Sequence, residues 1–147
     1  MASRAAGAAA TTAAISISRL DHVVLTCASV PRTVDFYTRV LGMRAVTFSS
    51  NPPRQALAFG QQKINLHQAG QEFEPKATHP KPGSQDICLL LESGQTIDAC
   101  RRHLAACGVD VEEGPVERTG ALGKILSVYV RDPDGNLIEL SSYDEAK

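Results

Sequence analysis

The chain carries one pattern twice. "DHVVLT" (21–26) corresponds to "QDICLL" (85–90), "TVDFYTRVLG" (33–42) to "TIDACRRHLAACG" (96–108), and "KINLHQ" (63–68) to "NLIELSS" (136–142). In each copy a β-rich run precedes an amphipathic helical period, and three short strand-like runs follow. This predicts a duplicated βαβββ unit. A four-stranded sheet with one helix is too small to cover both its faces, so two units should share a core or swap with a second chain.

The repeats set the predicted boundaries. Residues 1–18 have eight alanines in their first fourteen positions, which predicts a disordered tail or a mitochondrial or plastid transit peptide. Residues 19–143 form the predicted domain, with a proline-containing linker over 71–85, and residues 144–147 are a short C-terminal tail. Within the second repeat, Ser93 or Thr96 can cap the helix, and "VDVEEG" (109–114) is predicted as a strand.

Composition excludes several classes of function. The 147 residues are 43% hydrophobic and 21% charged, with a net charge of −1, as in an ordinary soluble protein. Neither a nucleic-acid nor a membrane partner is implied, so a small molecule is the expected partner. The four cysteines contain no C-x-x-C pair, and we expect them to be reduced and buried in a cytoplasmic protein.

Glu139 interrupts the apolar strand "NLIEL". Strand alternation places Ile138 and Leu140 on one face and Glu139 on the other. His22, in "LDHVVLT", likewise sits among apolar residues. Taken alone, Glu139 is better explained as a solvent-facing acid, and His22 as a hydrogen-bonded structural histidine. The duplication changes this interpretation, because the first and last strands of both repeats should converge on one cleft.

Four related positions then face that cleft: His22, Asn65, Asp86 and Glu139. His67 lies two residues beyond Asn65 on the same strand face. Imidazole and carboxylate groups are common ligands of divalent metals, and two histidines with one carboxylate leave coordination positions open for substrate. His22, His67 and Glu139 fit that set, and Asp86 is an equally good alternative third ligand. The sequence leaves this choice open.

Five segments together, "LDHVVLT", "FYTRVLGM", "KINLHQ", "GVDVEEGPVERTG" and "YVRDPDGNLIEL", give the chain its resemblance to the vicinal oxygen chelate superfamily. This is also called the glyoxalase/bleomycin resistance/dioxygenase group, and the resemblance covers residues 19–143. It implies an α+β fold in which two paired βαβββ modules form a curved mixed sheet around a cleft. It also implies that His22 and Glu139 bind a divalent metal, with Glu139 catalytic.

The resemblance extends to substrate contacts. Tyr129 occupies the place, ten residues before the final glutamate, of a tyrosine that contacts substrate in fosfomycin-resistance proteins, and Arg118 is a candidate for holding an anionic substrate. Asn65 stands where glyoxalase I carries an acid, and Asp86 stands where the extradiol dioxygenases carry a histidine. Arg118 could equally be a solvated loop charge.

The resemblance therefore implies a homodimeric enzyme that uses Fe, Mn, Ni, Co or Zn as a Lewis acid on a small oxygenated substrate. Isomerase, lyase or epoxide-opening chemistry of the fosfomycin-resistance kind is expected. The alternatives are an Fe(II) extradiol-type dioxygenase and a metal-free ligand-binding protein of the bleomycin-resistance kind.

Overall fold

The computed structural model describes residues 12–146 and contains eight strands and two helices in this range. In chain order they are β1 (His22–Cys27), α1 (Val30–Arg39), β2 (Arg44–Ser50), β3 (Pro53–Phe59), β4 (Gln62–Gln68), β5 (Asp86–Leu90), α2 (Ile97–Ala106), β6 (Glu113–Gly120), β7 (Gly123–Arg131) and β8 (Leu137–Ser142). Each repeat thus forms a βαβββ module, as predicted.

Each module has its own four-stranded sheet. The strand order is β1-β4-β3-β2 in the first sheet and β5-β8-β7-β6 in the second. In both, the first strand runs parallel to the last, and the other neighbours are antiparallel. The α+β class and the fold implied by the resemblance are confirmed. Within residues 12–146 no strand of one sheet pairs with a strand of the other, so β1 and β5 are both edge strands.

The helices begin and end at the residues that local chemistry favours. Ser29 Oγ accepts the amide of Arg32 at 3.4 Å at the start of α1. At the start of α2, Thr96 Oγ1 accepts the amide of Ala99 at 3.1 Å, so Thr96 rather than Ser93 is the cap. Gly42 and Gly108 follow the two helices with φ of +69° and +72°. Residues with a side chain disfavour this conformation, and glycine does not.

One hydrophobic core joins the two modules. Leu25 and Ile64 of the first sheet, Val128 and Ile138 of the second, and residues of both helices belong to a single buried cluster. A buried hydrogen bond also links the two modules: Tyr37 Oη donates to Asp132 Oδ2 at 2.9 Å. The helix-covered faces of both sheets therefore meet, and the opposite faces, which we call the outer faces, point away from the shared core.

The second repeat departs from its predicted strands. "VDVEEG" is not a strand, because the amide of Val109 bonds the carbonyl of Leu104 at 2.9 Å and completes the end of α2. The strand instead starts at Glu113 and pairs with β7 around a tight turn between Gly120 and Gly123, so Arg118 lies on a strand.

The cysteine and terminal predictions have mixed outcomes. All four cysteines are free. Cys27 is buried as expected, but Cys100 and Cys107 are half-buried and Cys88, which lies on an outer face, is exposed, contrary to expectation. Residues 12–21 have no regular secondary structure and are exposed, and most of the predicted tail lies outside the described residues. Within the described range no helix is long and apolar enough to span a membrane.

Candidate metal and substrate site

The outer face of the first sheet carries His22 and Asn65. His22 lies beside Lys63, and Val24 beside Asn65, so His22 and Asn65 are diagonal neighbours on adjacent parallel strands. The His22 side chain is 44% exposed, and its Nδ1 lies 2.8 Å from a carboxylate oxygen of Asp21. Asn65 is buried, and its side-chain oxygen Oδ1 has no hydrogen-bond partner in the described structure. This face thus places His22 next to an unsatisfied amide oxygen.

The outer face of the second sheet repeats this geometry with carboxylates. Glu139 lies beside Cys88 and Asp86 beside Leu137, so Asp86 and Glu139 are again diagonal neighbours. Glu139 Oε1 accepts hydrogen bonds from Ser127 Oγ at 2.7 Å and Ser141 Oγ at 3.3 Å. Diagonal neighbours have Cα atoms roughly 7–8 Å apart, close enough for two side chains to share one ion. The alternation predicted for Glu139, Ile138 and Leu140 is observed.

These two half-sites do not meet in a single chain. Residues 12–146 contain no cluster of three His, Cys, Asp or Glu side chains that could hold a metal ion. His22, Asp86 and Cys88 are exposed, which follows from outer faces that point away from the shared core. The expected convergence of His22 with Glu139 is therefore not realised within one copy.

His67 is separated from His22 by the strand register. It pairs with Thr26, four residues beyond His22, which corresponds to roughly 13 Å along the strands. Its Nε2 lies 3.3 Å from a guanidinium nitrogen of Arg54, and burial, followed by the charge of Arg54, lowers its pKa. The proposed set of His22, His67 and Glu139 is not compatible with this spacing. Asp86, in contrast, is a diagonal neighbour of Glu139.

Tyr129 and Arg118 form a pair next to Glu139. Tyr129 lies directly opposite Glu139 on the neighbouring strand. Arg118 Nε donates to Tyr129 Oη at 3.1 Å, and a second nitrogen donates to Glu113 Oε1 at 2.8 Å. Burial raises the pKa of the Tyr129 phenol, with a further contribution from Glu139. Arg118 therefore orients Tyr129, and its charge is already partnered by Glu113, which weakens its candidacy as an anion holder.

Sequence reasoning missed two groups on the outer faces. Ser127 is fully buried between Glu139 and Ser141, and only the β7–β8 register reveals the contact. Arg54 reaches His67 from β3. The alternation of Lys63, Asn65 and His67 with apolar residues along β4 could have signalled a second polar face in the first module.

Two open cavities of the chain lie elsewhere. One, of about 610 Å³, is lined by residues of α2 and the segment that follows it. The other, of about 850 Å³, lies between the modules and is lined by Met43, Leu91 and Leu104 among others. None of the candidate site residues lines either of these two cavities.

Comparison with curated proteins gives close relatives. The chain is 58% identical over 133 residues to glyoxalase domain-containing protein RDO1 of Mycosarcoma maydis, covering 90% of this chain and 73% of the relative. It is 54% identical over 127 residues to virulence protein STM3117 of Salmonella typhimurium, covering 86% and 85%. It is 31% identical over 132 residues to lactoylglutathione lyase of Escherichia coli O157:H7, covering 87% and 95%.

Solved structures of other proteins show the same fold. An integron cassette protein from the mobile metagenome of V. cholerae superposes with a TM-score of 0.83 at 53% identity, covering 88% of this chain and 98% of that one. FosX, a fosfomycin resistance protein of Listeria monocytogenes complexed with Mn(II), superposes with a TM-score of 0.57 at 22% identity, covering 85% and 90%, and shares the fold. The family model described as Glyoxalase/Bleomycin resistance protein/Dioxygenase superfamily matches residues 19–140. This chain, with its two βαβββ modules, therefore belongs to that superfamily.

Proposed function

We propose that this protein is a homodimeric, metal-dependent enzyme whose active site forms between two copies. His22 and Asn65 of one subunit face Asp86 and Glu139 of the partner subunit. The observation that carries this proposal is the presence of two matched half-sites on outward-facing surfaces of one chain. Each half-site supplies a diagonal pair of donors, and neither is sufficient alone.

The edges of both sheets support the dimer. β1 and β5 each have a partner strand on only one side. Val24 on β1 is 43% exposed and Leu90 on β5 is 57% exposed, although both are apolar. Unpaired edges flanked by apolar side chains favour association with another chain. Placing β1 of one copy beside β5 of the other would cover these residues and bring the two outer faces together.

The donor set fits a divalent first-row metal. It offers one imidazole, two carboxylates and, at Asn65, a buried amide oxygen that lacks a partner. Such a site would accept Fe, Mn, Ni, Co or Zn. When bound, the ion would supply Lewis-acid stabilisation of negative charge on a substrate oxygen. The two-histidine set that an Fe(II) dioxygenase would need is not supported, because His22 and His67 lie apart.

The remaining residues position the reactants. Ser127 and Ser141 hold Glu139 Oε1, which fixes the orientation of this carboxylate. Arg118 holds Tyr129 across the strand from Glu139, where the phenol can donate a hydrogen bond to an oxygen of the substrate. Isomerase, lyase or epoxide-opening chemistry on a small oxygenated molecule fits this arrangement. The 31% identity to lactoylglutathione lyase adds support.

Metal analysis tests the cofactor. Protein purified without chelators should hold close to one equivalent of a divalent metal per chain, and Glu139→Gln should lower this by about tenfold or more. A matched control is Glu117→Gln, which removes another strand carboxylate away from the half-sites. Content below about 0.1 equivalent, unchanged after reconstitution, would instead favour a metal-free ligand-binding protein.

Mixing variants tests the shared site. In a heterodimer of His22→Ala and Glu139→Gln chains, one site holds both defects and the other is intact. Random reassociation should therefore restore about a quarter of the wild-type metal sites. A mixture of His22→Ala with Asn65→Ala, whose defects lie in the same module, should restore none. Equal behaviour of the two mixtures would contradict a site formed between subunits.

A further inference from the structure

The outer face of the first sheet is basic. The register of its four strands places the following side chains there: His22, Val24 and Thr26 on β1, Lys63, Asn65 and His67 on β4, Arg54, Ala56 and Ala58 on β3, and Arg44, Val46 and Phe48 on β2. These positions include three residues with permanent positive charges and no Asp or Glu. This face therefore attracts anions before any partner subunit covers it.

Arg54 is held in place without a counter-ion. Its guanidinium carbon lies 4.4 Å from the ring centre of Phe73 and 5.2 Å from that of Phe48. One terminal nitrogen lies 3.3 Å from His67 Nε2, and Nε is buried with no hydrogen-bond partner. Within residues 12–146, no carboxylate lies in ion-pair distance of Arg54. A partly buried guanidinium with an unused donor is unfavourable unless an acceptor binds it.

Lys63 converges on the same position. Its Nζ lies 4.1 Å from the ring centre of Phe48, so two cations contact one ring. No ion pair to Lys63 exists in the described part of the chain. Attraction to an aromatic face offsets only part of the repulsion between like charges. A bound anion would offset the remainder.

Acids close to this face are already engaged. Glu72 acts to raise the pKa of His67, against the larger effects of burial and Arg54, and its Oε1 accepts the amide of Gly70 at 3.1 Å. Asp21 is bound to His22. On the second sheet, Arg118 is paired with Glu113. Arg54 is thus better suited than Arg118 to bind an external anion.

We propose that Arg54, assisted by Lys63, binds a carboxylate of the substrate. The planar guanidinium matches the two oxygens of a carboxylate, and two phenylalanine rings fix its plane. That the bound molecule is the substrate of an enzyme rests on the proposed function. Arg54 stands beside His67, roughly 7 Å along the strands from Asn65 and roughly 13 Å from the level of His22, so the carboxylate is the end of the substrate that lies away from His22. The substrate class is therefore a small organic acid with oxygens at its other end.

Binding of probe anions tests the assignment. We would measure succinate, phosphate and chloride binding by calorimetry and thermal shift at constant ionic strength. Succinate should bind to the wild type with a stabilisation that chloride does not give, and Arg54→Gln should weaken it at least about tenfold. Arg101→Gln, on the exposed surface of α2, should leave it unchanged. Equal succinate binding by Arg54→Gln and wild type, or a preference for phosphate, would overturn the proposal.

Two further measurements separate this result from other causes. Arg54→Lys retains the charge without the planar fork, so it should bind succinate more weakly than wild type while remaining folded; wild-type affinity would contradict the bidentate role. Metal content is measured on the same samples and should be unchanged in Arg54→Gln. Arg54-dependent succinate binding in a protein without metal would preserve the anion site and reject the proposed metal enzyme.

Discussion

The contact between the modules can be tested by replacing Tyr37 with phenylalanine. Tyr37 is fully buried on α1, and its hydroxyl donates to Oδ2 of Asp132, which is 5% exposed, at 2.9 Å. Asp132 also accepts the amides of Asp134 and Asn136 and the Asn136 side-chain amide, at 2.8–2.9 Å. Tyr37 therefore ties the first module to the turn that sets the register of β7 and β8.

The expected loss follows from these contacts. A buried hydrogen bond to a charged acceptor contributes about 1.5–3 kcal/mol to stability, and the ring itself is retained in phenylalanine. For a domain of this size, such a loss corresponds to a fall of roughly 5–10 °C in Tm. Asp132 keeps its three hydrogen bonds from Asp134 and Asn136, so the turn between β7 and β8 should remain folded.

Urea titration and thermal unfolding of the same samples measure this effect. The matched control is Tyr143→Phe, since Tyr143 Oη accepts the amide of Leu122 at 2.9 Å on the exposed β6–β7 turn. We expect a change of at most about 0.5 kcal/mol for that variant. If Tyr37→Phe destabilises no more than Tyr143→Phe, the two modules are not held together through this buried bond.

Two other predictions concern single side chains. Ser127→Ala removes the 2.7 Å hydrogen bond to Glu139 and should weaken metal binding about 10- to 100-fold in a metal titration, without unfolding the protein; unchanged affinity would remove Ser127 from a positioning role. Burial raises the pKa of Cys27 to about 11, so stability should be complete below the pKa of the unfolded thiol, about 8.5, and fall as the pH rises toward 11. Unfolding measured from pH 8 to pH 10.5 should show a smaller fall in Cys27→Ala, and parallel profiles would contradict this assignment.

The duplicated sequence pattern predicted much of the fold. The strands around His22, Asn65 and Glu139 and both helices lie where the repeats placed them, because hydrophobic alternation and helix caps are local signals. The strand predicted over residues 109–114 starts only at Glu113, so its first part was predicted wrongly. An apolar valine pair can end a helix as well as form a strand, and only the bond from Val109 to Leu104 distinguishes the two.

The strand faces that carry His22, Asn65, Asp86 and Glu139 were predicted from the sequence, but the placement of the two outer faces in the chain was not. Strand periodicity placed Glu139 on the face opposite Ile138, and the internal match paired Asp86 with His22. The separation of His22 from His67 depends on the parallel register of β1 and β4, which no local pattern encodes. The role of Arg54 likewise depends on Phe73, which reaches it from the linker after β4.

By itself, the sequence determined two βαβββ modules, the side of each strand on which the polar residues lie, and membership of a chemically diverse superfamily. These follow from periodicity and repetition, which are properties of short segments. Only the tertiary structure decided which sheet faces meet. The helix-covered faces bury more apolar surface against each other than the polar outer faces could, so the core joins the modules back to back. The outer faces therefore lie away from this core, and His22 on one and Asp86 on the other are exposed within the single chain.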